Sequence, residues 1–456
     1  MVAMERTSSD TTLSRKTVVG YAIGSLGTGG FATLPGLVLV YYLTDTLGVA
    51  ALLAGALVTV AKIWDVIIDP VIGARSDRSL AVGGSRRPAM ILGAVTLPLF
   101  FILTFAVPTG LSPLLSGMWV LVAFILTATS FSLFQVPYIA LPAELVSDYD
   151  QRTRLLSWRV VVLTFAILLF GAGGPALRDI GEGYFKYLVM AVIAGLVIGL
   201  GMFVSSFVAA KDVGFADEPR HSVKENYAAG VRTLRRSPAF RSLLLTFLLQ
   251  GLATGLMLAG AQYVATWVLG SEGAVTFLFI ALIAPALVAA PLWGVIANRI
   301  GKERGFVWAS ALFGIAALSM LLLVWYPGDW VYLPVALAGA GYAGMQSLPM
   351  AMLPDVISHD AVAHGDGQAG AFGGVWTAGE TAGMALGASV LTVVLAASGY
   401  LSSVGGGAHQ PDSAVVGIVL SFSIVPAVII ALSLWSFARY PLRKADIDVT
   451  GAEAAK

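Results

Sequence analysis

Residues 62–78 read KIWDVIIDPVIGARSDR. The first part of this stretch belongs to an apolar run that starts near residue 49, yet it carries one lysine and two aspartates. The last part is basic and closes the run. Charged side chains within a membrane-length apolar run must face a protein interior or a wet cavity, because lipid cannot solvate them. The stretch therefore predicts a transmembrane helix with functional groups on one face.

The composition of the whole chain excludes a soluble globular protein. Of its 456 residues, 57 % are hydrophobic and 12 % are charged, against roughly 25 % charged in soluble domains. The chain has no cysteine, which excludes disulfides, thiol catalysis and cysteine-bound metals. Long apolar runs lie at about 17–44, 49–75, 88–107, 116–142, 155–177, 186–210, 240–268, 273–298, 306–325, 330–355, 368–398 and 413–438. Twelve such runs predict an all-α membrane protein with twelve transmembrane helices and short loops.

The positive charges predict the orientation. Almost all lysines and arginines outside the spans lie in the tails or after even-numbered spans, and only Arg178 and Lys186 flank a loop on the other side. Cytoplasmic loops carry the excess of lysine and arginine. We therefore predict an integral protein of the cell's inner or plasma membrane with both termini in the cytoplasm.

A weak internal repeat divides the spans six and six. Two groups recur at a constant offset: Pro70, Gly73 and Arg78 come again 221 residues later, and Pro137, Leu141, Pro142 and Asp148 come again 212 residues later. Parallel repeats of this kind predict two pseudo-symmetric bundles with a substrate cavity between them. The expected division is a first six-helix bundle at 1–210, a cytoplasmic central loop at 211–239, a second bundle at 240–438 and a cytoplasmic tail at 439–456.

Few charged side chains lie inside the spans: Lys62, Asp65, Asp69, Arg159 and Glu380. At about 100° per residue, positions 62, 65 and 69 share one face of a helix. Two carboxylates one turn apart suit a small hard cation, and a structural ion-pair network between the halves is the alternative. Together the five groups leave one net negative charge, so one bound proton or sodium ion would make the cavity neutral.

The basic end of the opening stretch indicates a gate. Residues 73–78, GARSDR, resemble the loop between spans two and three of the major facilitator superfamily. The resemblance implies that acidic and basic groups there pair with helix ends and separate when the inner gate opens. An ordinary cytoplasmic loop is the alternative. The expected gate residues are Asp77, Arg78, Glu144, Asp148 and Arg152.

Further motifs resemble the glycoside–pentoside–hexuronide:cation symporters over nearly the whole chain. They are WDVIIDPVIG at 64–73, VPY at 136–138, DYDQRTR at 148–154, Arg159, YYLTD at 41–45 and FGGVW at 372–376. The resemblance implies a major facilitator fold and a twelve-span symporter. It also implies that Asp65 and Asp69 bind the coupling cation, that Ser132 keeps a hydroxyl ligand, and that Arg159 lies in the cavity.

The chain departs from the melibiose permease branch of that family at several positions. The acids that hold galactosyl hydroxyls are replaced by Gly29 and Gln135, a stacking tryptophan by Ile139, an asparagine of the sodium site by Ile68, and a lysine of span eleven by Thr381 beside Glu380. Galactoside binding is therefore not expected. Sodium has lost one ligand and two neighbouring carboxylates favour proton uptake, so a proton is preferred over sodium at Asp65 and Asp69.

The remaining cavity candidates are polar or aromatic residues within spans. Gln135 and Gln346 occupy similar places in the two halves and either bind substrate or join helices. Tyr138 and Trp376 either line the pathway or pack. The full set of expected substrate-cavity residues is Lys62, Gln135, Tyr138, Arg159, Gln346, Trp376, Glu380 and Thr381.

These observations predict a cation-coupled symporter that moves a small solute, such as a sugar or glycoside, by alternating access. Its expected partners are the substrate, a coupling proton or sodium ion and the bilayer, with no cofactor, no nucleic acid and a monomeric state. A proton-driven exporter of amphiphilic or lipid-like molecules is the alternative. An integral-membrane transferase is a distant one, because the short loops leave little room to shape a catalytic site.

Overall fold

A computed structural model describes residues 13–83, 85–145, 149–180, 185–208, 232–364, 369–405 and 408–442. Within these ranges the regular structure is helical, apart from one isolated antiparallel bridge between Leu47 and Val404. The long helices are α1 Arg15–Tyr41, α2 Ala51–Gly83, α3 Arg87–Phe105, α4 Pro113–Leu145, α5 Tyr149–Leu177, α6 Phe185–Val208, α7 Pro238–Tyr263, α8 Ala274–Ile300, α9 Lys302–Ser319, α10 Tyr332–His364, α11 Ala369–Ala397, α12 Asp412–Phe422 and α13 Ile424–Phe437.

The helices account for twelve membrane crossings. In the described part of the chain, 11 helical segments are long and apolar enough to span a bilayer, and α12 with α13 forms one of them, Asp412–Phe437. Helix α10 is not among the 11, but it is 33 residues long and packs along α8 and α9 as α4 packs along α2 and α3. The twelve-helix all-α fold that the sequence predicts is the one observed.

The ends of α1 and α7 repeat one local structure. Each helix ends in a five-residue π-helix, Tyr42–Thr46 after α1 and Val264–Val268 after α7. Each π-helix is followed by a leucine and then by a glycine with positive φ, +70° at Gly48 and +69° at Gly270, a conformation that glycine adopts without steric cost. The two halves of the chain therefore share local structure where their sequences differ.

Helix packing repeats in the same way. In the first half (α1–α6), α1 packs on α5 and α6, α3 packs on α4 and α6, and α2 packs on α4. In the second half (α7–α13), α7 packs on α11 and α13, α9 packs on α10 and α13, and α8 packs on α10. The halves meet through α1 with α7, α2 with α11, and α5 with α8. The predicted limits of the bundles at 210 and 239 stay a prediction, because residues 209–231 lie outside the described part.

Two helices continue beyond the predicted membrane spans. The predicted second span ends at 75, and the motif at 73–78 was expected to belong to the loop after it, but α2 continues through this motif and ends at Gly83. Likewise α10 continues to His364, nine residues past the predicted end of span ten at 355. Extending a helix keeps backbone groups hydrogen-bonded as the chain leaves the bilayer, and a hydropathy pattern does not register that extension. The gate candidate Asp77 is consequently carried on a rigid helix.

Candidate functional site

Helix α2 directs its charged face into the protein. Ile63 and Ile67, one turn apart, are 55 % and 54 % exposed, as expected of a lipid-facing stripe, whereas Asp65 between them is buried. The Lys62 Nζ lies 3.1 Å from the Asp65 Oδ2 and forms an ion pair with it. The same amino group lies 6.0 Å from the centre of the Phe31 ring of α1. The charged face of α2 is thus turned toward α1 and α4.

Asp69 lies one turn further along α2, beside the buried hydroxyl of Ser132 on α4. The Oδ1 atoms of Asp65 and Asp69 are both buried and lack a hydrogen-bond partner among the described residues. Buried carboxylate oxygens without partners are costly, so a proton or a cation that binds them would stabilise this arrangement. The three predicted cation ligands, Asp65, Asp69 and Ser132, are therefore close together, and their chemistry fits one small cation.

Arg159 of α5 approaches a cluster of aromatic rings between α1 and α4. Its guanidinium carbon lies 5.5 Å from the centre of the Tyr138 ring, and its Nε is buried without a partner among the described residues. Tyr138 stacks on Tyr21 with 4.6 Å between ring centres. The Tyr138 hydroxyl donates to the Tyr21 carbonyl oxygen at 2.8 Å and lies 3.0 Å from the Ser25 hydroxyl. Tyr138 thus joins α1 to α4, and its ring packs beside the Arg159 guanidinium.

The two departures at Gly29 and Gln135 have structural explanations. A Cβ at Gly29 would lie 2.7 Å from the Ala166 Cβ and 3.0 Å from the Leu163 carbonyl oxygen. No larger side chain fits at this contact between α1 and α5. The Thr28 hydroxyl donates to Gln135 Oε1 at 2.7 Å, so this amide links α1 to α4. The acids of the melibiose permease branch are therefore replaced here by helix-packing contacts.

The second half contributes a separate polar group on α7, α10 and α11. Glu380 is half-buried and lines a small cavity together with Gln250, Tyr342 and Gln346. The Gln346 Nε2 donates to the Tyr342 hydroxyl at 2.9 Å on the same helix. The neighbouring Thr381 is half-buried. Gln346 and Glu380, predicted separately from the sequence, therefore line one cavity.

Trp376 does not line that cavity. Its side chain is buried and stacks on Phe247 with 4.3 Å between ring centres. The indole Nε1 is also buried and has no partner among the described residues. Since Phe247 itself lines the cavity, Trp376 packs behind the cavity wall.

At the end of the molecule where α1 and α7 terminate, a polar cluster joins the two halves. Asp45 is only 2 % exposed. It accepts hydrogen bonds from the Tyr400 hydroxyl at 2.6 Å and from the Thr44 hydroxyl at 2.5 Å. The Tyr263 and Thr44 hydroxyls are 2.7 Å apart, and the Trp267 Nε1 donates to the Tyr400 hydroxyl at 2.8 Å. We call Thr44, Asp45, Tyr263, Trp267 and Tyr400 the latch.

Backbone and side-chain bonds extend this contact. The amides of Ser403 and Gly405 donate to the carbonyl oxygens of Thr44 and Thr46 at 3.0 and 3.2 Å. The Arg178 guanidinium donates to Gln262 Oε1 at 2.6 Å. In the sequence, residues 41–45 stand out only as a family motif, without a role for any of them. The signal in the sequence that could have indicated the latch is an aspartate, Asp45, directly after an apolar run.

At the opposite end, the ion pairs of the described residues lie within one half. Asp77 pairs with Arg86 at 2.6 Å, and Lys302 pairs with Asp355 at 2.6 Å. Arg78 is exposed. The other gate candidates fall outside what the structure describes: the side chains of Glu144 and Arg152, and Asp148 as a whole. Pairing of Asp77 with these residues therefore stays a prediction.

The comparison with known proteins identifies the family. The family profile described as MFS/sugar transport protein, where MFS is the major facilitator superfamily, matches residues 20–444. This chain belongs to that family. Over 460 residues it is 25 % identical to a putative glycoside/cation symporter of Escherichia coli, covering 98 % of this chain and 96 % of the relative. It is 24 % identical to a sodium-dependent lysophosphatidylcholine symporter of Gallus gallus over 469 residues, covering 92 % and 85 %.

Solved structures show the same fold. The D-xylose-proton symporter superposes with a TM-score of 0.64 at 13 % identity, covering 93 % of this chain and 98 % of that one. The family and the fold are those of transporters, which are not enzymes. The chain is therefore an integral membrane protein and a cation-coupled transporter of a small-molecule substrate.

Proposed function

We propose that the chain is a symporter that carries one cation together with one small polar solute, a sugar or glycoside, by alternating access. The observation that carries this proposal is the pair of buried carboxylates on α2. Asp65 and Asp69 each hold an oxygen that has no partner among the described residues. An arrangement of this kind inside a membrane protein is costly unless a cation completes it.

The coupling cation binds at Asp69, with Asp65 and Ser132 as further ligands. Lys62 already neutralises Asp65 through their ion pair, so the carboxylate of Asp69 is the group left to be balanced. A proton satisfies it with a single bond, whereas sodium needs several oxygen ligands, and Ile68 supplies none. We therefore assign a proton to this site.

The solute binds between the halves, at polar groups that both bundles contribute. Arg159 of α5 presents hydrogen-bond donors from the first half. Thr381 presents a hydroxyl from the second half, next in sequence to Glu380, which lines the small cavity with Gln346. A hydroxylated solute offers both donors and acceptors, which matches this division. The similarity to a putative glycoside/cation symporter supports the same solute class.

The contacts between the two halves differ at the two ends of the molecule, which supports alternating access. The latch joins the halves at the α1 and α7 end, whereas the ion pairs described at the other end stay within one half. With the termini in the cytoplasm, as the positive charges predict, the latched end is external and this conformation faces inward. Because a neutral group passes through a low-dielectric interior at less cost than a charged one, a cation bound at Asp69 favours the change of the loaded carrier from its outward-facing to its inward-facing state.

Proteoliposomes test the coupling. Asp69→Asn removes the charge and keeps the shape, so uphill accumulation of substrate driven by an imposed proton gradient should fall to the equilibrium level. Exchange of internal for external substrate should survive, since coupling and solute binding use different groups. Glu303→Gln, which changes a carboxylate near the start of α9, is the matched control and should accumulate substrate as the wild type does.

Two outcomes would contradict the assignment. Full uphill transport by Asp65→Asn/Asp69→Asn would show that these carboxylates are not the cation site. Sodium-stimulated substrate binding that Asp69→Asn abolishes would show that the coupling cation is sodium and not a proton. The substrate itself is found first with a thermal-shift screen of sugars, glycosides and lysolipids, because a ligand that binds the native state raises its stability.

A further inference from the structure

A second group of unsatisfied oxygens lies about a cavity in the second half, on different helices from Asp65 and Asp69. The cavity is bounded by α7, α10 and α11. Helices α7 and α11 approach closely there, since a Cβ at Gly255 would lie 2.3 Å from the Met384 carbonyl oxygen. This close packing places Gln250 of α7 opposite Glu380 of α11.

The Gln250 side chain is 2 % exposed and is satisfied on one side only. Its Nε2 donates to the Ser310 hydroxyl at 2.8 Å and to the Ser433 hydroxyl at 3.4 Å. These bonds fix the orientation of the amide. Its Oε1 is buried without a hydrogen-bond partner among the described residues, although Gln250 lines the cavity.

Glu380 brings the only charge that the described residues contribute to the cavity wall. None of the described residues forms a hydrogen bond or ion pair with this carboxylate. The Thr254 hydroxyl, which donates to the carbonyl oxygens of its own helix at 3.0 and 3.1 Å, keeps its lone pairs. The Tyr342 and Gln346 oxygens complete the polar wall.

The polar part of the wall therefore offers oxygen acceptors and one negative charge, and Phe247, Met345 and Met384 form its apolar part, around a space of about one water molecule. Oxygen ligands are those that hard cations prefer, and a single carboxylate balances a single positive charge. We propose that this cavity is a second cation site, which takes a small inorganic monovalent cation and is separate from the site at Asp65 and Asp69. Sodium is the probe of choice.

Equilibrium binding of 22Na⁺ to purified protein at pH 8 tests the proposal. Asp65→Asn/Asp69→Asn removes the α2 site, and this variant should still bind about one sodium ion per chain at saturation, as a single-carboxylate site allows. Adding Glu380→Gln, which keeps the shape of the side chain, should weaken that binding about tenfold or more. Thr254→Val in the same double background should weaken it by less, because it removes one neutral ligand. Glu272→Gln, at a partly exposed carboxylate of the latched end, is the control and should leave the binding unchanged.

The results separate this site from the proposed proton site. Loss of all sodium binding in Asp65→Asn/Asp69→Asn would overturn the second site, and so would unchanged sodium binding after Glu380→Gln. Binding of 14C-methylammonium without any binding of sodium would assign the cavity to an ammonium group and overturn it as well. Failure of the α2 assignment has a different signature, because Asp65→Asn/Asp69→Asn would then still transport uphill. Gel filtration and the melting temperature establish that each variant is folded.

Discussion

At the scale of single residues, Asp45 shows how a buried acid can hold two bundles together. Its carboxylate lies at the end of the first span, yet one of its donors, Tyr400, is 355 residues further along the chain. Hydrogen bonds to charged groups contribute about 1.5–3 kcal/mol each. Because the bond from Tyr400 crosses between the halves, its loss shifts the balance between the closed and the open state of this end.

The chain has no cysteine, so a single introduced thiol reports on that balance. Ala265 is fully buried and lies in the chain between the latch residues Tyr263 and Trp267, and Ala265→Cys should react slowly with a polar maleimide. Adding Asp45→Asn removes the charge that the hydroxyls bind, and we expect the labelling rate to rise about tenfold or more, the equivalent of one charged hydrogen bond. Stopped-flow or quenched labelling of the purified protein measures this rate.

Asp412→Asn is the control for that experiment, because Asp412 is an exposed carboxylate at the start of α12, at the same end of the molecule. Its labelling rate should equal that of Ala265→Cys alone. Equal rates with and without Asp45→Asn would show that the latch does not hold this end closed.

At the scale of elements, α2 combines three roles. It presents apolar side chains to lipid, turns its charges inward, and contacts α11 of the other half near its start. At that contact the Thr59 and Ser389 hydroxyls are 2.5 Å apart. A Cβ at Gly55 would lie 1.9 Å from the Thr392 hydroxyl oxygen. A side chain at Gly55 would therefore separate α2 from α11.

Gly55→Ala should consequently disfavour the conformation that is closed at the latch. We expect faster labelling of Ala265→Cys and transport that is slower severalfold, while the protein remains folded. Adding Thr392→Ala removes the nearest atom and leaves a contact of 2.9 Å to its Cβ, so part of the wild-type labelling rate should return. An unchanged labelling rate in Gly55→Ala would show that the contact between α2 and α11 at Gly55 does not stabilise the conformation closed at the latch.

At the scale of the whole molecule, the halves repeat one packing pattern and meet along three helix pairs. In the alternating access proposed above, the halves move as two bodies around a central site, and each end is either joined or separated. Ligands and mutations then act by favouring one state over the other. Residues far from the cavity should therefore change the rate of transport more than the affinity for substrate.

Asp77 at the unlatched end is the test of this expectation. Its carboxylate is 68 % exposed and pairs with Arg86, which is 8 % exposed. Asp77→Ala leaves Arg86 without that carboxylate and should slow transport, while the substrate Kd stays within about threefold because the cavity is untouched. Initial rates in proteoliposomes and a binding titration measure the two quantities.

Arg78→Ala, one residue further along and exposed, is the comparison and should leave the transport rate closer to that of the wild type. A large loss of substrate affinity in Asp77→Ala, with turnover unchanged, would place Asp77 in the binding site instead of the gate.

The sequence by itself determined the number of spans and the charged face of α2. Both follow from local physics, since a bilayer sets the length of an apolar run and lipid does not solvate Asp65 or Asp69. The end of a polar helical extension is not set in this way, because water satisfies a helix and a loop equally well. The continuation of α2 through Asp77 to Gly83 was therefore missed.

Only the tertiary structure decided which side chains serve the cavity and which serve the packing. Trp376 packs behind a cavity wall, Tyr138 joins α1 to α4, Gly29 marks a helix contact, and Asp45 joins the halves. Each of these roles depends on a partner from another helix, and the periodicity of one helix carries no information about the helix that packs against it. The cavity that Gln250 and Glu380 line could not be predicted for the same reason, because it forms only where α7 and α11 pack together.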